Sequence, residues 1–171
     1  ADGTGNFTAG GNLRLGNDSS ALLFDADRDG DIDAFITDSS GAGNTIWLNN
    51  GAGVFTDSQQ SLGTDNSLDA AYGDLDNDGD LDIFVANDAN QANTVWYNDG
   101  FGNFTDTTTA VVTAQALGTS TSVDVELAYI NNDIYLDAIV ANEGQTNQIW
   151  INDGNGAFTA GNTFSDSPVV T

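Results

Sequence analysis

Apolar residues along this chain fall in short bursts, and between the bursts stand Asp, Asn and Gly. The clearest stretch runs from 69 to 105. Asp69 to Gly73 leads into an acidic loop, Leu81 to Ala86 leaves it, Asn93 to Tyr97 follows a polar turn, and Gly102 to Thr105 closes after Asn98-Asp99-Gly100. These segments favour Val, Ile, Phe, Trp and Tyr, side chains that suit a pleated surface, and turn-forming residues bound them. Asn-Asp-Gly between two such segments is a hairpin signal. No stretch carries apolar residues at helical spacing over a useful length. The pattern predicts four short strands and no helix.

The same pattern recurs. Ile46-Trp47-Leu48, Val95-Trp96-Tyr97 and Ile149-Trp150-Ile151 align, with the tryptophans 49 and then 54 residues apart. Each is followed by a glycine turn and then by Phe55-Thr56, Phe104-Thr105 or Phe158-Thr159. A further copy of that closing piece opens the chain at Asp2 to Thr8, around Phe7. A repeat of about 40 to 50 residues built from four antiparallel strands is the signature of a propeller blade. The expected fold is therefore all-β, with three four-stranded antiparallel repeats at 18–58, 67–107 and 122–160. The N-terminal strand at 1–9 belongs to a further blade, and 161–171 leads toward a next one. Five extra residues fall in the connection around Thr107 to Ser122.

Chemistry concentrates in two loops. Asp25-Ala-Asp-Arg-Asp-Gly-Asp-Ile-Asp33 and Asp74-Leu-Asp-Asn-Asp-Gly-Asp-Leu-Asp82 place carboxylates at positions 1, 3, 5, 7 and 9 around a glycine at position 6. A hard cation such as calcium takes six to eight oxygens, and alternating Asp side chains on a tight loop bring them to one point. The glycine permits the turn without a Cβ penalty. An EF-hand closes with Glu at position 12; here that position is Ile36 or Val85, so Asp33 and Asp82 are expected to close the site instead. The third repeat departs from this. With Asp137 aligned on Asp33 and Asp82, Tyr129, Asn131, Asp133, Ile134 and Tyr135 occupy positions 1, 3, 5, 6 and 7. Position 1 has lost its carboxylate and position 6 its glycine. Two calcium ions are expected, and a third at Asn131, Asp133 and Asp137 is not; Val125 to Tyr129 and Leu136 to Ala141 still read as strands.

Composition narrows the function. Of 171 residues, 26 are acidic and two are basic, Arg14 and Arg28, for a net charge of −24. Two calcium ions would move that only to −20, so nucleic acid and anionic membranes are poor partners. No apolar run is long enough to span a bilayer. The chain opens at Ala1 without a basic-then-apolar leader, as expected of a mature or excised piece. Without Lys, His or Cys, the usual nucleophile and base pairs cannot be assembled. No enzymatic activity is expected. Trp47, Trp96 and Trp150 are read as packing one blade on the next rather than stacking on sugars. Asn6, Asn17 and Asn103 begin glycosylation sequons, two of them inside the repeat's own closing unit.

The loops, the Ile83-Phe-Val-Ala86 that follows the second, Trp96-Tyr-Asn-Asp-Gly100 and Gly102-Asn-Phe-Thr105 together resemble FG-GAP or VCBS repeats. These are the propeller blades of integrin alpha subunits and of many secreted bacterial proteins. The resemblance implies side-chain ligands Asp25, Asp27, Asp29 and Asp33 in one loop and Asp74, Asp76, Asp78 and Asp82 in the other. Backbone carbonyls of Asp31 and Asp80 complete each set, and the calcium rigidifies one rim of the blade.

From this follow the functional expectations. The chain is expected to be a calcium-binding, extracellular or cell-surface propeller module that serves as a scaffold for adhesion or for a protein or carbohydrate ligand. A self-assembling subunit is a second expectation, because a strand around Phe7 without local partners is an edge that further copies of the chain would complete. A non-catalytic module of a larger secreted enzyme is a third.

Overall fold

The computed structural model describes residues 16–106 and 117–162. Among them are thirteen strands and no helix. The first blade comprises β1 (Asp18–Phe24), β2 (Asp33–Asp38), β3 (Thr45–Asn49) and β4 (Phe55–Asp57). The second comprises β5 (Ser67–Gly73), β6 (Asp82–Asn87), β7 (Gln91–Asn98) and β8 (Phe104–Asp106). After β9 (Leu117–Ser120), the third follows as β10 (Ser122–Ala128), β11 (Asp137–Asn142), β12 (Gln148–Asn152) and β13 (Phe158–Ala160). Each blade is an antiparallel meander whose sheet order is its chain order. Ile83 pairs with Trp96 and Trp96 with Asp106, and the corresponding residues pair identically in the other two blades. The three sheets are propeller-like blades of an all-β fold.

Period-two alternation explains how the blades stack. Successive side chains of a strand point to opposite faces, and all six residues of β6 are buried. Ile83, Val85 and Trp96 face one core with Phe24, Phe35 and Ile46 of the first blade. Phe84, Ala86, Val95 and Tyr97 face the other, with Val125, Ala138, Val140, Trp150 and Phe158 of the third. Trp96 and Trp150 each pack against the preceding blade, as expected from their repetition. The first strands of successive blades also lie side by side, β1 by β5 and β5 by β10.

Three features differ from the expectation. The second sheet has a fifth strand: β9, in the connection to the third blade, pairs with β7. Leu117-Gly-Thr-Ser120 has little apolar content to announce a strand, and it forms because the first half of β7 offers it free backbone groups. An isolated bridge from Asn44 to Leu62 makes the same attachment in miniature on the first blade. Secondly, Leu81 and Leu136 belong to the loops rather than to β6 and β11, whose ladders begin at Asp82 and Asp137. Thirdly, β10 starts at Ser122 and ends at Ala128, which leaves Tyr129 outside it. The strand expected around Phe7, the sequon at Asn6 and residues 163–171 lie outside the described residues.

Candidate metal centres

Each acidic loop joins the first two strands of a blade, and its shape is written by short-range hydrogen bonds. Asp and Asn side chains readily accept from the backbone two residues on. In the first loop Asp27 accepts from the Asp29 N–H at 3.3 Å, Asp29 from Asp31 at 2.9 Å, and Asp25 from Gly30 at 3.1 Å. In the second, Asp76 accepts from Asp78 at 3.2 Å and Asp78 from Asp80 at 2.9 Å. The chain turns back through two left-handed residues in each, Arg28 (φ 60°) with Gly30 (92°), and Asn77 (68°) with Gly79 (93°). Position 6 is the glycine that such a conformation favours; position 4 is an ordinary residue held there by the ladder around it.

The result is a cluster of carboxylates. One oxygen from each of Asp25, Asp27 and Asp29 lies within 4.8 Å of the others, and the same holds for Asp74, Asp76 and Asp78. In both loops the position-1 residue carries a buried oxygen, Oδ1 of Asp25 and Oδ1 of Asp74, that has no hydrogen-bond partner. An unpaired buried carboxylate oxygen beside two further carboxylates is costly unless a cation lies among them. The titration behaviour follows. Burial, reinforced by Asp33, Asp29 and Asp25 and opposed by the hydrogen bond from Asp29, holds Asp27 above the usual carboxylate range. Burial and then Asp78 do the same to Asp76, with a smaller push from Asp74.

Position 9 has another role in the geometry. Asp33 and Asp82 are fully buried, outside the three-carboxylate groups. Asp33 accepts from the Ala26 N–H at 2.8 Å and the Asn49 N–H at 2.8 Å, and Asp82 from Leu75 at 2.8 Å and Asn98 at 2.9 Å. Each carboxylate thus ties the start of its loop to the end of the third strand, keeping lone pairs for a cation. Burial pushes Asp82 up to about 7 against those two hydrogen bonds, with Asp76 and Asp78 adding to the rise. Position 7 also does more than offer a carbonyl. The Asp31 and Asp80 side chains lie under the hairpin glycines Gly51 and Gly100, where an added Cβ would come within 2.7 Å of a carboxylate oxygen.

The third loop keeps the frame and loses the cluster. Asp133 N–H donates to Asn131 at 2.8 Å and Tyr135 N–H to Asp133 at 2.9 Å, so the ladder persists. Asp137 is buried and accepts from Ile130 and Asn152, as its counterparts do from the equivalent residues, and also from Asn131. Neither Asn132 nor Ile134 has a positive φ. Tyr129 is 65 % exposed where Asp25 and Asp74 turn inward, and among the described residues no third group of clustered carboxylates forms.

Two contributors were not anticipated from the sequence. Asn98 and Asn152 each reach back to the preceding blade's loop, their Nδ2 donating at 2.8 Å to the carbonyls of Ala26 and Leu75. Each also donates within its own blade, to Leu81 or Leu136, and accepts from a hairpin glycine N–H. The signal was present: Asn49, Asn98 and Asn152 all stand two residues after the repeated Trp. The other contributor is Arg28, which leaves its own loop and meets Asp80 of the next.

A family model for the FG-GAP-like repeat matches residues 25–85 and 74–140. Both matches begin at position 1 of an acidic loop and end within the second strand of the following blade. No curated protein matches the chain.

Proposed function

The chain belongs to the FG-GAP-like repeat family, and on that premise we propose that it is a calcium-stabilised β-propeller module of an extracellular or cell-surface protein, acting as a scaffold for adhesion or ligand binding. The observation that carries calcium is the pair of buried, unpartnered oxygens on Asp25 and Asp74, each beside two further carboxylates. The donors are all oxygen, which favours hard cations over zinc or copper, and flexible loops suit the larger, less demanding calcium ion better than magnesium. Asp25, Asp27 and Asp29 hold one ion and Asp74, Asp76 and Asp78 the other, with Asp33 and Asp82 bracing the loops and offering their remaining lone pairs. Millimolar calcium outside cells fills such loops even at modest affinity. The metal's role is structural in this reading: each ion joins residues of one loop between two strands, and no nucleophile and base pair stands beside it.

Isothermal titration with calcium tests this directly. The expected result is two ions per chain. Filling a site to one hundred times its dissociation constant stabilises by about 2.7 kcal/mol, so removing both ions lowers the melting temperature by roughly 10 °C or more. Identical melting curves with and without chelator would reject the calcium reading. Adhesion is tested separately, by the calcium dependence of binding to immobilised protein and glycan arrays.

A further inference from the structure

Arg28 and Arg14 are the only basic residues in the chain, and Arg28 is spent on a contact between the two acidic loops. From position 4 of the first loop its guanidinium reaches 51 residues along the chain, donating Nη2 to the carbonyl of Gly79 and standing 2.5 Å from Asp80 Oδ1. The Asp80 side chain is 10 % exposed, and its Oδ1 has no hydrogen-bond partner beyond this ion pair. Gly79 admits the contact: an added Cβ there would stand 3.2 Å from Arg28 Nη2, whereas Gly30 in the first loop has nothing within 4 Å.

We propose that Arg28 couples the two calcium sites, so that filling the first loop raises the affinity of the second and the reverse. This rests on the calcium reading above. Arg28 is aimed by its left-handed backbone, φ 60°, which is shared by Asn77 in the other clustered loop and absent at Asn132 in the loop without a cluster. A cation held by Asp27 and Asp29, the residues on either side of Arg28, fixes that turn and with it the direction of the guanidinium. At the far end, the guanidinium pins the peptide between Gly79 and Asp80, directly after Asp78 in the second cluster. The guanidinium brings one positive charge to the second loop, and it meets that charge's partner in Asp80, which is not one of the three clustered carboxylates, so the loop is ordered with the cluster's own charge left intact. By linkage the effect is reciprocal. Arg28 is thus a positioning residue, acting on the second ion through the loop that holds it.

Calcium titration of six chains reads the coupling. Asp74→Ala leaves the first site alone and Asp25→Ala leaves the second; the intact chain fills both. The product of the two constants in the intact chain should exceed the product of the single-site constants by about fivefold, the low end of typical couplings because half of the Arg28 side chain is exposed. Arg28→Gln, which keeps the stem and loses the charge, should bring that ratio to about one when combined with the same two site deletions, while both single sites still bind. A ratio of one in the intact chain, or an undiminished ratio in Arg28→Gln, would overturn the coupling and leave calcium binding standing. No calcium heat from the intact chain would overturn both together.

Discussion

The second and third loops are built on one frame and differ in what they hold. Both have the rung at position 5, both have a buried Asp at position 9 that clamps the third strand, and both are crossed or flanked by an asparagine two residues after the Trp. Only the second has a carboxylate at position 1 with an unpartnered buried oxygen, and only the second turns through left-handed residues. The lesson is that loop shape and metal site are separable. The frame is held by Asp82 or Asp137 whatever fills the loop, while the cluster depends on Asp74, Asp76 and Asp78 together. Where a bulky β-branched residue, Ile134, replaces the glycine, the left-handed turn is sterically unfavourable, and the aromatic Tyr135 occupies the space beneath Gly154 that Asp80 occupies beneath Gly100.

The strongest way to break this separation is to remove the clamp. Asp82→Ala and Asp137→Ala each strand buried backbone N–H groups, at about 1–3 kcal/mol per group, so each should lower stability by roughly 2–5 kcal/mol in denaturant titrations. For Asp137→Ala the loss should be the same with calcium and with chelator. Asp82→Ala should cost more in calcium, and equal losses in the two media would place position 9 outside the metal site.

A smaller and more selective effect is expected from position 1. Asp74→Ala should reduce the calcium stoichiometry from two to one and abolish about half of the calcium-dependent rise in melting temperature. Tyr129→Ala, at the equivalent place in the third blade, should act through packing alone and respond identically with and without chelator. If both substitutions alter calcium binding, the third loop is a metal site after all.

The comparison can also be sharpened by construction. Tyr129→Asp, Asn131→Asp and Ile134→Gly together give the third loop the residues of the second at positions 1, 3 and 6, and a third calcium per chain should then appear by titration, with weaker affinity because Tyr135 remains at position 7.

The smallest effect is one of pH. In metal-free protein, Asp82 binds its proton more tightly folded, at about 7, than unfolded, at the ordinary carboxylate value, and Asp27 and Asp76 are shifted in the same direction. The fold therefore binds more protons than the unfolded chain in that window, and stability rises as pH falls from about 7 toward 4. Saturating calcium should flatten or reverse this slope, because protons and calcium compete for the same oxygens. Thermal melts across that range, in both conditions, check the sign.

Much of this was legible in the chain itself. The Trp tripeptides and the closing Phe-Thr marked three meanders because burial on both faces of a blade demands the same side chains each time. The two complete loops announced their carboxylate clusters through spacing alone, since an Asx ladder needs only neighbours two residues apart. What escaped was non-local. Alternating Asp residues look equivalent in sequence, yet Asp33 and Asp82 are drawn inward by the amides of Asn49 and Asn98 across the sheet, while Asp80 is drawn toward Arg28 of another blade. Strand β9 escaped for the same reason: Leu117 to Ser120 has little strand character of its own, and its pairing is supplied by β7.

The asparagines after each Trp impose an order in time. The carbonyls of Ala26 and Leu75 are met by Asn98 and Asn152, 72 and 77 residues further along the chain. A chain emerging from its N-terminus therefore has each loop's residues in place before the asparagine that reaches back to them has been made. The first loop gains its contact from Asn98 only when the second blade is in place, and the second gains its contact from Asn152 only with the third. A chain halted after Asp82 would carry both acidic loops, the first with its Asp33 clamp to Asn49 but without Asn98, the second with neither of its asparagine contacts.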